Sequence, residues 1–153
     1  MSDVVKRLEA LGRTVPTLAA PVAVYVPTMR TGNLIFTSGQ LPLVDGQLMG
    51  TGKVGAEVTA EQAHEMAAQC ALNAIAAIRA DIGNLDRVAR VVKVVGFVAS
   101  DPGFTGQPAV INGASELLGA AFGDVGAHAR SAVGVAVLPL DAPVEVEVVV
   151  EIT

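Results

Sequence analysis

Residues 144–152 read Val-Glu-Val-Glu-Val-Val-Val-Glu-Ile. In an extended chain successive side chains point to opposite faces. Val144, Val146, Val148, Val150 and Ile152 therefore share one face, and Glu145, Glu147, Val149 and Glu151 share the other. This is a strand with one side on a core and one side uncovered, and its valine side predicts helices packed over it.

The preceding apolar stretch, Ser131–Leu138, reads as a second strand stopped by Pro139. Its alternation gives a bulky face of Val133, Val135 and Val137, and a face of Arg130, Ala132, Gly134 and Ala136. One long cation followed by small residues leaves room for a ligand or for another chain's backbone. With the bulky face toward the core, Arg130 and Glu145 are expected together on the uncovered side.

Further upstream, Pro108 can open a helix that turns Val110, Ala114, Leu117, Leu118 and Phe122 inward and ends at Gly123. Arg90–Ala99 is valine-rich and reads as an interior strand. Thr59-Ala60-Glu61-Gln62 fits a capping box for a helix with Ala63, Ala67, Cys70, Ala74, Ile78 and Ile82 on one stripe and Gly83 at its end. Leu34–Thr37 is a strand, Arg30-Thr31-Gly32-Asn33 a turn before it, and Val22–Val26 a short strand before that. Asp45-Gly46 is a turn signal, and residues 50–55 form a glycine-rich loop. Ser2 can cap a first helix carrying Val4, Val5, Leu8 and Leu11, with Gly12 ending it. The order is short helix, two strands, long helix, strand, helix, two strands. It predicts an α+β fold: a single sheet with two main helices on one face. Residues 1–153 read as a single domain, 1–19 being a helix and loop extension.

Composition narrows the function. The 153 residues are 52% hydrophobic, which excludes a disordered chain, and only 16% charged, so part of the surface is expected to be covered by other copies. Lys plus Arg is 10 and Asp plus Glu 15, a net charge of −5, which argues against a phosphate-neutralising surface. Aromatics are 3% with no Trp, which argues against base-stacking platforms. No apolar run is long enough to span a bilayer, and the first residues lack a signal-peptide core. The one cysteine, Cys70, suits a reducing, cytoplasmic setting.

Arg130 and Glu145 are the leading candidates for chemistry. A guanidinium fork holds a carboxylate bidentately, and a glutamate can orient water. The bland alternative is a salt bridge between adjacent strands. Asn112 can orient a substrate amide or water, or satisfy a loop backbone. Tyr25 can cover a pocket, or simply pack. Gly50-Thr51-Gly52-Lys53-Val54-Gly55 is not a phosphate loop, because Val54 stands where Ser or Thr is needed. His64, His128 and Cys70 show no metal-ligand spacing. His128, two residues before Arg130, can border a pocket or lie exposed in a loop. Ser38 has no assignable His–Asp pair.

Gly32-Asn33-Leu34-Ile35-Phe36-Thr37-Ser38-Gly39-Gln40-Leu41-Pro42, Asn112, Ala129-Arg130-Ser131, Leu138-Pro139 and Val144-Glu145-Val146-Glu147 resemble the RidA (YjgF) family, also called endoribonuclease L-PSP. The resemblance covers residues 20–153 and implies a chorismate-mutase-like fold, a homotrimer, and sites in clefts between subunits. It implies hydrolysis of reactive 2-imino or 2-enamino acids to 2-keto acids and ammonia, without metal or cofactor. By the same resemblance Arg130 binds the substrate carboxylate and Glu145 serves the attacking water. Tyr25, Ser38, Gly39, Asn112 and Ala132 border the substrate. The sequence departs from the family's deaminases at Ala132, where they often have cysteine, and by one extra residue between Asn112 and Arg130. The N-terminal extension and Val54-Gly55-Ala56-Glu57 resemble a divergent branch. The rival readings are a trimeric carboxylate-binding protein without turnover and, against the charge balance, a ribonuclease.

Overall fold

The computed structural model describes residues 1–18 and 24–153. In chain order the elements are α1 (Asp3–Ala10), β1 (Thr28–Thr31), β2 (Leu34–Thr37), β3 (Leu43–Val44), β4 (Gln47–Leu48), α2 (Ala60–Ile82), β5 (Val88–Ala99), α3 (Gln107–Phe122), β6 (Ala129–Val135) and β7 (Val144–Ile152). Five strands form one sheet in the order β1-β2-β7-β5-β6. Only the β5–β6 pair is parallel; β1–β2, β2–β7 and β5–β7 are antiparallel. The predicted α+β fold, one sheet with two main helices on one face, is the fold observed.

The helix ends follow from local chemistry. Thr59 Oγ1 accepts from Gln62 N at 3.1 Å, while Thr59 N donates to Gln62 Oε1 at 2.9 Å, closing the capping box of α2. Gly83 and Gly123 end α2 and α3 at φ 75° and 65°, where a side chain would be strained. Ser2 caps α1. The Asp86 carboxylate also accepts from Asp3 N and Val4 N, at 3.0 and 3.3 Å, docking α1 on the body. Leu11, expected on the buried stripe of α1, is 54% exposed, because the helix stops at Ala10.

The predicted stripe of α2 is buried throughout, as are Val110, Ala114, Leu117, Leu118 and Phe122 of α3. Beneath them lie Val144, Val146, Val148, Val150 and Ile152, none more than 1% exposed. The two helices pack very closely. A Cβ on Gly113 would overlap the His64 carbonyl oxygen of α2, and one on Gly96 of β5 would overlap the Ile111 side chain of α3.

Two strands differ from expectation. Of the expected strand 22–26, Val24 and Tyr25 form a bend, Val26 is irregular, and Val22 and Ala23 lie outside the described residues. The first strand is instead Thr28–Thr31, which takes in Arg30 and Thr31 of the expected turn. A two-residue loop, Gly32-Asn33, suffices to pair Thr31 with Leu34, and Gly32 alone takes positive φ. β1 is mostly exposed and carries no alternation to betray it. β6 ends at Val135 rather than Leu138, and its faces are reversed. Ala132 packs against the core, while Val133 is 44% exposed. The small residues admit α3 rather than a ligand: a Cβ on Gly134 would stand 2.8 Å from Gln107 Nε2.

Gly113→Ala is expected to destabilise the fold by about 3 kcal/mol, since helix backbones must separate. Gly119→Ala, on the same helix with nothing within 4 Å of the added methyl, is expected to stabilise by about 0.5–1 kcal/mol. Urea unfolding of both variants checks the contrast.

Candidate functional site

β6 is an edge strand, and Arg130 stands on the side of it that faces α3. Pro108, Asn112 and Ser115 lie along one stripe of that helix, spaced by four and three residues. The guanidinium lies along the stripe. Nη1 donates to Asn112 Oδ1 at 2.7 Å and to Ser115 Oγ at 3.2 Å, and Nη2 donates to the Pro108 carbonyl at 3.3 Å. All three acceptors are neutral. None of the ion pairs among the described residues includes Arg130. A guanidinium carries five N–H donors, so three bonds leave Nε–H and one Nη2–H, the number a carboxylate accepts side by side. Asn112, itself exposed, turns its carbonyl to Arg130. Ala132 follows on the same side of β6, paired with Gly96.

Glu145 heads β7 on the opposite, uncovered face. Burial pushes its carboxyl above the ordinary glutamate range, and the like charge of Glu147 two residues on adds to the shift. Beside it the chain leaves the β2–β7 ladder. Thr37 Oγ1 takes the Val148 N–H at 3.0 Å in place of a backbone carbonyl, and pairing resumes at Gln40 and Val146. Ser38-Gly39 occupies the excursion. A Cβ on Gly39 would lie 2.8 Å from Glu145 Cδ, so glycine stands there because the carboxylate needs the space. Ser38 Oγ donates to the Val26 carbonyl at 2.6 Å and Ser38 N to the Pro27 carbonyl at 2.8 Å. Those bonds tie down the segment carrying Tyr25, which is 54% exposed.

The expected placement of Arg130 and Glu145 on one side of the sheet is therefore corrected. β5 lies between β6 and β7; Phe97 is level with both Glu145 and Val133, three residues along from Arg130. Sheet spacings put the two Cα atoms about 14 Å apart, and the side chains leave opposite faces. They form no salt bridge, because their strands are not neighbours. The parity of β6 reversed when its small side, rather than its valine side, received α3. The seven candidates thus fall into two groups: Arg130, Asn112 and Ala132 against α3, and Glu145, Gly39, Ser38 and Tyr25 at the β2–β7 excursion.

Sequence reasoning passed over Ser115, which has no motif, and left His128 between a pocket border and an exposed loop. His128 is half-buried and bonded at both ring nitrogens, Nε2 to Ser115 Oγ at 2.8 Å and Nδ1 to the Gly126 carbonyl at 2.6 Å. Two surface clefts, of about 440 and 460 Å3, lie elsewhere, one beside Ser2 and Asp86, the other beside Arg13 and Asp45. No helix among the described residues is long and apolar enough to cross a membrane.

The fold matches a known family. The model of the YjgF/chorismate mutase-like endoribonuclease family matches residues 5–152. The chain belongs to this family, which includes RidA. Protein TCP17 of Trypanosoma cruzi is 46% identical over 150 residues, 97% of this chain and 94% of its own. The crystal structure of Agrobacterium tumefaciens Atu1372, a protein described as of unknown function, is 44% identical with a TM-score of 0.91, covering 98% of this chain and 92% of its own. RidA from an Antarctic Psychrobacter is 29% identical with a TM-score of 0.60, over 92% of this chain and 97% of its own. The fall in structural likeness at almost equal coverage separates this chain and Atu1372 from RidA itself within the family.

A carboxyl raised in the folded state favours folding while protonated, and that contribution is lost as pH rises through the folded value. Glu145→Gln, which cannot ionise, is expected to melt higher than wild type at pH 8. The gap should close as pH falls below the ordinary glutamate range. Thermal melts of both proteins across pH 3–8 check the sign.

Proposed function

We propose that the protein hydrolyses small 2-imino and 2-enamino acids to 2-keto acids and ammonia, in a site shared between subunits of a cytoplasmic homotrimer. The carrying observation is the Arg130 guanidinium, held by three neutral acceptors with two N–H donors uncommitted. A cation fixed this way suits a planar carboxylate. Glu145 stands too far away, and on the wrong face, to serve the same bound molecule within one chain. The reading therefore pairs Arg130, Asn112 and Ala132 of one copy with Glu145, Gly39, Ser38 and Tyr25 of the next. The open edge of β6 and the uncovered sheet face, with Phe36 and Val133 exposed, provide surfaces for such an assembly.

The chemistry needs no metal or cofactor. An enamine first takes a proton at carbon to become the imine. Ionised Glu145 accepts a proton from water as its oxygen bonds to the imine carbon. The imine nitrogen takes up a proton, giving a tetrahedral aminoalcohol. Glu145 returns its proton to the amine, the C–N bond breaks as the hydroxyl releases its proton to solvent and becomes the carbonyl, ammonia leaves, and the keto acid remains, so the proton that the nitrogen took from solvent is given back. A carboxyl raised by burial suits this accept-and-return role, since its two protonation states lie closer in energy near neutral pH. Orientation and desolvation of an intrinsically reactive imine supply the acceleration.

Keto-acid release from enzymatically generated 2-aminoacrylate and 2-iminobutyrate tests the reading. Wild type is expected to exceed the spontaneous rate. Arg130→Ala should lose about 100-fold in kcat/KM, and Arg130→Lys should fall between them, keeping the charge without the fork. Co-assembled Arg130→Ala and Glu145→Gln chains should regain activity that neither has alone. No acceleration by wild type overturns the deaminase; no complementation overturns the shared site.

A further inference from the structure

Ser115 and His128 belong to no motif, yet they build a second support for Arg130. His128 and Arg130, two residues apart on the approach to and along β6, both reach the Ser115 hydroxyl on α3. Nδ1 of His128 faces a carbonyl, Gly126 O, the partner for a ring N–H, and the tautomer with its proton there leaves Nε2 to accept. The Ser115 proton then goes to Nε2, and the serine oxygen presents a lone pair to Arg130 Nη1. Gly126 is a firm anchor for this chain of bonds. It is buried, and a Cβ there would stand 2.6 Å from the Leu118 carbonyl oxygen of α3. Helix, loop and strand are thereby cross-tied at one hydroxyl.

We propose that Ser115 and His128 are positioning residues for the anion site: Ser115 fixes the rotation of the Arg130 guanidinium, and His128 fixes Ser115. This rests on the reading of Arg130 as the carboxylate clamp. Without Ser115, Nη1 keeps Asn112 as its one side-chain acceptor, and the guanidinium can turn its two uncommitted donors away from a ligand. Without His128, the serine hydroxyl can turn to a carbonyl of its own helix, as mid-helix serines do. The pair acts through Arg130, with no bond to the ligand.

The test has two independent readings on the full-length protein. In the ligand-free state, 15N NMR of the Arg130 side chain should show distinct, slowly exchanging Nη signals in wild type. Ser115→Ala should merge them and Ser115→Thr should keep them. Titration with 2-oxobutyrate, the keto-acid probe, should give Ser115→Ala a Kd about tenfold weaker, the worth of one charge-assisted hydrogen bond. Ser115→Thr should stay near wild type. His128→Ala should weaken binding by a smaller factor, and the double variant should be no weaker than Ser115→Ala, because the histidine acts through the serine. In turnover the loss should fall on KM, with kcat nearly unchanged. Averaged Nη signals in wild type, an unaltered Kd in Ser115→Ala, or losses that multiply in the double variant would each overturn the proposal. If 2-oxobutyrate fails to bind wild type, or binds Arg130→Ala as tightly, the carboxylate reading of Arg130 fails, and the NMR comparison still decides whether the strut exists.

Discussion

The close seat of α3 is the constraint from which the rest follows. The helix lies so near the sheet and α2 that Gly96, Gly113 and Gly134 have no space for a β-carbon. Packing at that distance removes apolar surface from water along Val110, Ile111 and Leu118, the dominant favourable term in a chain this poor in charge. It also fixes which side of β6 meets the helix. Once Ala132 and Gly134 are under α3, the alternation of the strand delivers Arg130 to the same side, one stripe of helical acceptors away. The most conspicuous cation of the molecule is thus positioned by the packing of its smallest residues.

The same geometry divides the candidate chemistry. A sheet is a barrier between its faces, and the strand order puts β5 between the two strands that carry Arg130 and Glu145. Within one chain the arginine is a pre-oriented cation in no ion pair among the described residues, and the glutamate is a half-buried acid raised further by the like charge of Glu147. The carboxylate is disfavoured by burial and by its neighbour, and the guanidinium has two N–H donors uncommitted. In the proposed reading, a ligand brings a carboxylate to the guanidinium and an imine to the glutamate.

Much of the fold was legible because its signals were local and redundant. The capping box at Thr59, the glycine ends at Gly83 and Gly123, and the strict alternation of 144–152 each named an element that formed with those bounds. β1 was illegible because Thr28–Thr31 is held by its hairpin ladder and buries little, so it has no hydrophobic period to read. The faces of β6 were misassigned for a different reason. Small residues on a strand mean that something comes close, and alternation cannot say whether that is a ligand, another chain or the protein's own helix. The candidate residues were nominated as a set through resemblance, but their division between two faces depends on strand order, which resemblance of short motifs does not carry. Ser115 and His128 were invisible as a pair, since thirteen residues and a turn separate them and neither spacing matches a catalytic pattern.

Ala132 shows how packing and chemistry meet at this site. Where the family's deaminases often carry a thiol, this chain has a methyl, paired with Gly96 on the side against which Ile111 is pressed. A small residue there is what a close helix demands, so the position answers to α3 as well as to any substrate. The orientation of Arg130 does not depend on it. Arg130 draws its orientation from Pro108, Asn112 and Ser115, all on the helix rather than on the strand. In the deaminase reading, the nucleophile is water and the base is Glu145, so a thiol at 132 has no bond to make or break. In that reading, alanine in its place changes the shape and polarity beside Arg130 and removes no group that the reaction uses.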